Sequence, residues 1–391
     1  MKNGKLASVV IVALALCGCA SSHDIFTNIG TQIASPSAIV IDVASNRLYL
    51  VNSNSLVLYN PEQGNFQAYD ITSPLAPRLL GTTQTPSFSG QIYLDTVGKR
   101  AYVPNRYTTN SVVTQDRLLT FNVDESSAGF LTSSETALDR DSYAIACCYP
   151  ATRAWITTGM NELQYIAIGG DLTPAGLSLL TPLSDGGNIS DALINNIVFL
   201  GSQAFLSRTY GGVMIVNLDE AGVAGAFPVD YVITDIDNPR GIATDGKYIY
   251  VVGEGTIDDD YERFLDIVDP TTLTSTTTNT SAKTVSRSDP GILVVPPIIV
   301  GNSPQEVLLS TANAAHYAFV TNQGDNNVSV IDITSPTSAS KIKDIPVGDQ
   351  PFSMALYSTG GVDQYVYVGN IYSNTISIID IPSLTVVATY P

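Results

Sequence analysis

One stretch of the chain, AFVTNQGDNNVSVID at residues 318–332, returns as VYVGNIYSNTISIID at residues 366–380. Each copy starts with small, β-branched and aromatic residues and ends with an alternating apolar run, which is typical of two β-strands joined by a turn. The closing Asp of each copy predicts a tight turn, because its carboxylate accepts the backbone N–H two residues on. The chain therefore contains repeated β-hairpins.

The first strand of this hairpin recurs along the whole chain. A small or apolar residue, an aromatic residue and further apolar residues occur seven times, and the aromatic residues lie 53, 53, 50, 45, 69 and 48 positions apart. A long internal repeat indicates units that bury their apolar faces against one another. The aromatic positions are Tyr49, Tyr102, Trp155, Phe205, Tyr250, Phe319 and Tyr367.

Further strands accompany each aromatic strand in a constant order. An apolar strand precedes it, opened by Pro in four units, and a strand ending in Asp or Asn and a short fourth strand follow it. Beyond the first 18 residues there is no long stripe with the 3.6-residue period of a helix. Four strands per unit predict an all-β fold, a seven-bladed β-propeller of four-stranded antiparallel blades over residues 35–391.

The two stretches quoted first resemble the YVTN-type propeller repeat. The match is close at Phe319 and Tyr367, partial at Tyr49 and Tyr102, and weak in the other three units. The resemblance implies the same fold over nearly all of the chain, but this architecture hosts many unrelated functions. Some relatives close the ring with an N-terminal strand. Residues 25–33 are available for that role, yet the last unit already has four predicted strands, so both closures stay open.

The N-terminal residues resemble a bacterial lipoprotein signal. Lys2 and Lys5 precede an uncharged run at residues 6–16, which is too short to span a bilayer. The next residues, Leu-Cys-Gly-Cys, match the lipobox of such signals and make Cys19 the expected lipid attachment site. The alternative is an ordinary cleaved signal in which Cys19 has no role.

These features predict three segments. Residues 1–18 are the signal peptide, residues 19–34 a lipidated tether, and residues 35–391 the propeller. A lipid on Cys19 makes a membrane the first expected partner and places the protein in the bacterial cell envelope. No Asp follows Cys19, which favours the outer membrane.

The charge of the chain excludes one class of partner. It has 18 basic and 36 acidic residues, and removal of residues 1–18, with their two Lys, leaves 16 basic and 36 acidic residues, a formal charge of −20. A protein with this negative charge repels the phosphate backbone of nucleic acids. We therefore expect no nucleic-acid partner.

Three connections between second and third strands look long. They are residues 52–65, 105–117 and 253–264. Propellers carry these connections and the links between blades on one face, so the sequence predicts a sculpted binding surface there. The alternative is that the lengths of these loops vary without any role in ligand binding.

A polar stretch follows the third strand of the fifth unit. Residues 271–288 are rich in Thr, Ser and Asn. Such a composition predicts a surface excursion that buries little apolar area.

Cys147 and Cys148 are adjacent, at the predicted turn between the first two strands of the third unit. Three interpretations remain: a structural vicinal disulfide, two buried thiols, or a redox or metal function. Ordinary disulfides join Cα atoms about 5.5 Å apart, so a vicinal bond strains the intervening peptide.

Acidic residues cluster around the fifth unit. Oxygen ligands of this kind suit Ca²⁺, which is the one cofactor that the sequence suggests. Their spacing matches no known calcium loop, and solvated acids are the alternative. The residues are Asp235, Asp237 and Asn238 before the unit, and Asp258, Asp259, Asp260 and Glu262 within it.

Arginines are expected at the channel mouth because they flank the predicted inner strands. Arg106, Arg208 and Arg240, together with Phe352, form this predicted ligand mouth. A guanidinium group binds carboxylates through paired hydrogen bonds. Neutralisation of nearby acids is the alternative.

Two function classes follow from these features. The first is a non-catalytic scaffold that presents its long-loop face to an envelope protein or a glycan. The second is a hydrolase or lyase with a divalent metal near the channel, as in related propellers. His23 and His316 are the only histidines, so a multi-histidine metal site is excluded. Convergent carboxylates at the channel mouth favour the enzyme, whereas Tyr, Phe352 and Ser side chains favour binding.

Overall fold

The computed structural model describes residues 30–53, 64–86, 89–106, 116–139, 142–149, 152–158, 162–169, 175–180, 193–209, 211–219, 226–257, 260–273 and 283–391. This part of the chain forms 29 β-strands and two short 3₁₀ helices, Pro270–Thr272 and Pro336–Ser338. Within the same ranges, no helix is both long and apolar enough to cross a membrane.

The strands form seven antiparallel blades of four, each built from consecutive strands, which confirms the predicted seven-bladed β-propeller. Blade 1 contains β1 (Pro36–Asp42), β2 (Arg47–Asn52), β3 (Gly64–Asp70) and β4 (Arg78–Thr85); blade 2 β5 (Tyr93–Asp95), β6 (Arg100–Asn105), β7 (Arg117–Asn122) and β8 (Ser133–Ala137); blade 3 β9 (Ile145–Cys147), β10 (Arg153–Thr157), β11 (Glu162–Ala167) and β12 (Ala175–Leu180); blade 4 β13 (Ile194–Leu200), β14 (Gln203–Arg208), β15 (Gly212–Asn217) and β16 (Ala226–Thr234).

Blades 5 to 7 follow the same plan, except that one extra strand, β20, precedes the fourth strand of blade 5. Blade 5 contains β17 (Pro239–Thr244), β18 (Ile249–Ile257), β19 (Asp260–Val268) and, after β20 (Lys283–Ser286), β21 (Ile298–Ile299); blade 6 β22 (Pro304–Ser310), β23 (Tyr317–Asn322), β24 (Asn327–Asp332) and β25 (Ser340–Pro346); blade 7 β26 (Pro351–Thr359), β27 (Val362–Asn370), β28 (Thr375–Asp380) and β29 (Thr385–Tyr390).

The seven repeated aromatic residues lie on the second strand of their blades. Each is at most 2% exposed. A second strand is covered on both faces by neighbouring blades, which explains why its sequence is apolar without strict alternation.

Seven clusters of buried apolar residues hold the ring together, and each draws its members from two consecutive blades. Trp155 of blade 3, for example, shares a cluster with Leu206 of blade 4. No blade therefore buries its own apolar faces alone, and the core is distributed around the ring.

The ring closes by packing between blades 7 and 1. Both blades are built from single continuous segments, so the described residues exchange no strand between the ends of the chain. The Tyr367 hydroxyl donates to the Pro74 carbonyl at 2.5 Å, the Tyr357 hydroxyl donates to Asn46 Oδ1 at 2.9 Å, and Ile33 packs into the shared cluster. Among the described residues, blade 7 has four strands of its own, while residues 25–29 of the segment that the sequence offered for closure lie outside them.

The expected long loop at residues 253–264 is instead the end of a β-hairpin. β18 and β19 remain paired as far as Ile257 and Asp260. Glu254 lies opposite Arg263, and a cross-strand pair of opposite charge favours continued pairing. The prediction of a loop here was wrong because it counted residues between landmarks and neglected that pairing.

The polar excursion after blade 5 is more ordered than its composition suggested. Its last part forms β20, which pairs in parallel with Tyr231–Thr234 of β16. β12 pairs in parallel with the other end of β16, so two neighbouring strands cover the outer edge of blade 4. Arg287, directly after β20, is only 4% exposed. The expectation that residues 271–288 bury little apolar area stays a prediction, because residues 274–282 lie outside the described residues.

Candidate functional site: the central cavity

Five inner strands carry a β-bulge where they begin. The pairing of the inner strand with the second strand shifts there in β1, β13, β17, β22 and β26. A bulge adds an unpaired residue and redirects its side chain. The bulged positions are Ser37, Asn195, Arg240 with Gly241, Gln305 with Glu306, and Phe352.

These bulges surround a cavity of about 440 Å³ on the axis of the ring. Its volume lies within the range of small-molecule sites, about 300–1,000 Å³. All seven blades contribute to the lining, and Arg106 joins them from the end of β6. In blade order the axial residues are Ser37, Gln91, Tyr143, Asn195, Arg240, Glu306 and Phe352.

The cavity lies at the long-loop face. Each inner strand begins beside the end of its second strand, as where Pro36 pairs with Asn52. The connections that leave β2 and β6 after Ser53 and Arg106 therefore start at the same end of the blades as the cavity. Residues 54–63 and 107–115 of these connections lie outside the described residues.

Arg240 is held in place through its backbone. Its carbonyl accepts a hydrogen bond from Ser207 Oγ at 2.6 Å. Gly241 follows, and a Cβ there would come within 2.7 Å of Glu306 Cα, so only glycine allows this approach of two inner strands. The buried Nε of Arg240 has no hydrogen-bond partner among the described residues.

Glu306 faces the cavity as a carboxylic acid. Its Oε2 accepts a hydrogen bond from the backbone N–H of Met354 at 2.6 Å, and its own N–H donates to Thr321 Oγ1 at 3.1 Å. Burial raises the pKa of Glu306 to about 8, and the Met354 hydrogen bond opposes this shift only in part. Glu306 therefore carries a proton at neutral pH.

Tyr143 lines the cavity beside the guanidinium group of Arg106. The Cζ atom of Arg106 is 5.9 Å from the centre of its ring. Burial raises the pKa of Tyr143 to about 12, with a further increase from Glu306, while Arg106 and Arg240 lower it. The hydroxyl therefore stays protonated and remains a hydrogen-bond donor.

Apolar groups complete the walls. Phe352 enters from blade 7, and Ile39, Ile92 and Ile242 line the cavity from blades 1, 2 and 5. The Phe352 carbonyl accepts a hydrogen bond from Thr321 Oγ1 at 3.2 Å, which ties blade 7 to blade 6 beside Glu306. The cavity thus combines an apolar part of the wall with a larger polar part.

Three of the four residues predicted at the ligand mouth meet here. Arg106, Arg240 and Phe352 line the cavity, whereas Arg208 does not. Arg208 is the last residue of β14 and is 1% exposed, with its guanidinium group packed against Gly211. Arg208 does not reach the cavity because it belongs to the second strand of its blade, which neighbouring blades cover.

The structure describes the side chains of two of the five aspartates predicted to bind Ca²⁺, Asp235 and Asp237. Asp235 is exposed and accepts a hydrogen bond from Ser286 Oγ at 2.6 Å, while Asp237 packs against Gly255. Asp258 and Asp259 lie outside the described residues, as does the side chain of Asp260. Within the part that the structure describes, no three His, Cys, Asp or Glu side chains form a metal-binding group. The Ca²⁺ site stays a prediction.

Cys147 and Cys148 lie at the opposite face, at the turn between β9 and β10. The peptide between them is cis and their sulphur atoms are in contact. Cys147 is half-buried and Cys148 is exposed, and the Tyr93 hydroxyl lies 3.5 Å from Cys148 Sγ. The pair is remote from the cavity, and the vicinal disulfide stays a prediction.

The remaining sequence candidates lie elsewhere. Cys19 and His23 fall outside the described residues. His316 lies in the turn before β23, where its backbone N–H donates to Thr334 Oγ1 at 3.0 Å.

Tyr143, Glu306, Gln91 and Asn195 were missed by the sequence reasoning. Arg240 and Phe352 directly follow the Pro that opens an inner strand, and the same position in two further units gives Ser37 and Gln305. The other three units have no such Pro, so this signal does not lead to Gln91, Tyr143 or Asn195.

Comparisons with known proteins agree with this architecture. No protein-family model matches the chain, and the search of curated proteins found no match. A chain in the crystal structure of the mitotic checkpoint complex has a TM-score of 0.60 at 11% identity, covering 93% of this chain and 96% of that one. The Pan2 WD40 domain of Neurospora crassa has a TM-score of 0.53 at 10% identity, covering 88% of each chain.

This chain is a seven-bladed β-propeller. A functionally unknown protein from Desulfotomaculum acetoxidans is also similar, with a TM-score of 0.55 at 14% identity over 90% of this chain and 94% of that one. At such identities the likeness establishes the β-propeller fold alone.

Proposed function

We propose that this seven-bladed β-propeller is a binding scaffold of the bacterial cell envelope, of the YVTN-repeat type and anchored in the outer membrane by a lipid on Cys19. Its partner is an envelope protein or a glycan, engaged at the long-loop face. The observation that supports this is the central cavity, where one residue from every blade converges on a single volume.

The chemistry of the lining favours binding. Tyr143 and Phe352 supply aromatic surface, Gln91 and Asn195 supply amides, and Ser37 supplies a hydroxyl. Ligand sites combine apolar walls with a few polar groups in this way. A hydrolase or lyase with a divalent metal needs convergent carboxylates, whereas the lining residues of the described chain include one carboxylate, that of Glu306.

A plugged cavity tests the proposal. Tagged full-length protein is crosslinked in membranes, captured, and compared with Gln91→Trp, whose indole fills the cavity, and with Leu75→Trp as the control. Leu75 is 45% exposed in the turn between β3 and β4, on the opposite face. We expect the same partner with wild-type and Leu75→Trp protein and its loss with Gln91→Trp at an unchanged melting temperature. An identical set of partners in all three samples would contradict the proposal.

A further inference from the structure

We infer that the central cavity recognises a carboxylate group, bound by the guanidinium groups of Arg106 and Arg240. The carboxylate belongs either to a small organic acid or to the C terminus of a polypeptide. This inference deepens the proposed binding function and rests on it.

The cavity is an electropositive place in an acidic protein. The whole chain has a formal charge of −18, yet Arg106 and Arg240, from blades 2 and 5, both line this cavity, and both lower the pKa of Tyr143. Like charges brought together raise the energy of an empty site, and an anion bound between them lowers it. Arg240 has no ion-pair partner among the described residues, which leaves its charge available to a ligand.

Guanidinium groups suit a carboxylate by shape as well as by charge. Their planar N–H donors match the two oxygens of a carboxylate and form paired hydrogen bonds with them. The Nε of Arg240 is buried and aimed at no acceptor of the described chain. A buried donor without a partner costs free energy that a ligand oxygen would recover.

The other polar groups of the lining act as donors to the same anion. Glu306 is protonated at neutral pH because it is buried, so it offers a hydroxyl instead of a second negative charge. The Tyr143 hydroxyl is likewise protonated. A site of two cations and two neutral donors is complementary to one anionic group.

The walls indicate that the anion is organic. Ile39, Ile92, Ile242 and Phe352 present hydrocarbon to the cavity, which an inorganic phosphate ion would leave exposed. Burial of apolar ligand surface against such walls stabilises a complex by about 25 cal/mol per Å². An organic acid or a C-terminal residue satisfies both the charged and the apolar parts of the site.

Calorimetric titration of the full-length protein in detergent tests the inference. The probes are benzoate, its neutral analogue benzamide, inorganic phosphate, and an acetylated Ala-Ala-Phe peptide with either a free or an amidated C terminus. We expect binding of benzoate or the free-acid peptide, and at least tenfold weaker binding of the matching amide. The acid that binds more tightly identifies the source of the carboxylate.

Variants of the two arginines complete the test. Arg106→Ala and Arg240→Ala should each weaken acid binding at least tenfold, and Arg240→Lys should restore part of it. Arg78→Ala is the control, since Arg78 is a 69% exposed side chain of β4, remote from the cavity. Thermal unfolding establishes that each variant is folded.

Three results would overturn the inference: no acid binding at millimolar concentration, equal affinity for acid and amide, or tighter binding of phosphate than of every organic acid. If these occur while Gln91→Trp still abolishes partner capture, the carboxylate inference fails and the binding function stands. If Gln91→Trp leaves capture unchanged, the proposed function itself fails.

Discussion

Glu306 is the residue of the cavity lining whose charge changes nearest to neutral pH. Its raised pKa means that the folded protein keeps a proton between pH 4.5 and about 8 that the unfolded chain has released. The folded state binds more protons in this window, so stability must fall as the pH rises through it. The Tyr143 hydroxyl of the same cavity, whose pKa is also raised, keeps its proton throughout this window.

We therefore predict that Glu306→Gln flattens the pH dependence of stability. The wild-type free energy of unfolding should decrease from pH 5 to pH 8 by at most about 1.4 kcal/mol per pH unit more than that of the variant. Urea unfolding at four pH values measures this difference. Glu135→Gln, at an exposed position of β8, is the control and should leave the slope unchanged.

Asp266 and Arg287 form a buried ion pair that sequence reasoning did not anticipate. Arg287 Nη2 donates a hydrogen bond to Asp266 Oδ1 at 2.8 Å, and the Asp266 and Arg287 side chains are 0% and 4% exposed. The Cζ atom of Arg287 also lies 3.7 Å from the ring centre of Phe264. Burial raises the pKa of Asp266 despite the adjacent guanidinium. The pair fastens the segment after β20 to blade 5.

Asp266→Ala should destabilise the protein by about 3–5 kcal/mol, because it leaves the buried Arg287 charge with only the more distant Glu262, 3.8 Å away, as a partner. Replacing both residues with Leu should recover most of this loss. Arg78→Ala, which removes an exposed pair with Asp70, should cost at most about 1 kcal/mol. Chemical denaturation measures all three. A loss at Asp266→Ala no greater than that at Arg78→Ala would show that the pair is not held as described.

At the scale of elements, the site depends on how closely the inner strands approach one another. Gly241 of β17 lies against the backbone of β22, where an added Cβ would come within 2.7 Å of Glu306 Cα and 2.8 Å of the Gln305 carbonyl. Backbone cannot yield as a flexible side chain does. This contact sets the spacing between Arg240 and Glu306.

Gly241→Ala should therefore separate blades 5 and 6 at the cavity, destabilise the protein by about 1–3 kcal/mol, and weaken acid binding. Gly129→Ala is the matched control, because its nearest contacts are side-chain atoms at 3.2 Å or more. Differential scanning calorimetry and titration with benzoate check the two effects. Unchanged melting and binding in Gly241→Ala would contradict the assigned spacing.

At the scale of the whole molecule, the point at which the chain enters the ring determines how far the binding face lies from a membrane-anchored Cys19. Asn65 Nδ2 donates to the Gly30 carbonyl at 2.8 Å, beside the end of β2, so the described chain begins at the long-loop face. Cys19 and Gly30 are eleven positions apart, a stretch that spans at most about 40 Å when extended. A lipid on Cys19 would thus keep this face near the bilayer.

Cys19→Ala should release the protein from membranes into the soluble fraction, because acyl chains supply the affinity for the bilayer. Fractionation and mass spectrometry of the N-terminal peptide measure the change. Cys147→Ala with Cys148→Ala is the control and should remain in the membrane fraction. Retention of Cys19→Ala in that fraction would refute the lipid anchor.

The sequence by itself determined the number and order of blades. Seven aromatic residues at strand positions predict seven second strands. A strand-forming pattern depends only on the residues of its own segment, so it can be recognised in the sequence. The predicted mouth residues Arg106, Arg240 and Phe352 were accessible for the same reason, since they adjoin recognisable strands.

Only the tertiary structure decided the chemistry of the cavity and the order around blade 5. Gln91 and Tyr143, which precede their inner strands, meet Glu306 of the β22 bulge because distant segments converge on one axis, and β20 pairs with a strand about 50 residues earlier. Such meetings depend on the geometry of the closed ring. Local secondary-structure propensity does not predict that geometry, because each residue's conformational preference depends on its neighbours along the chain.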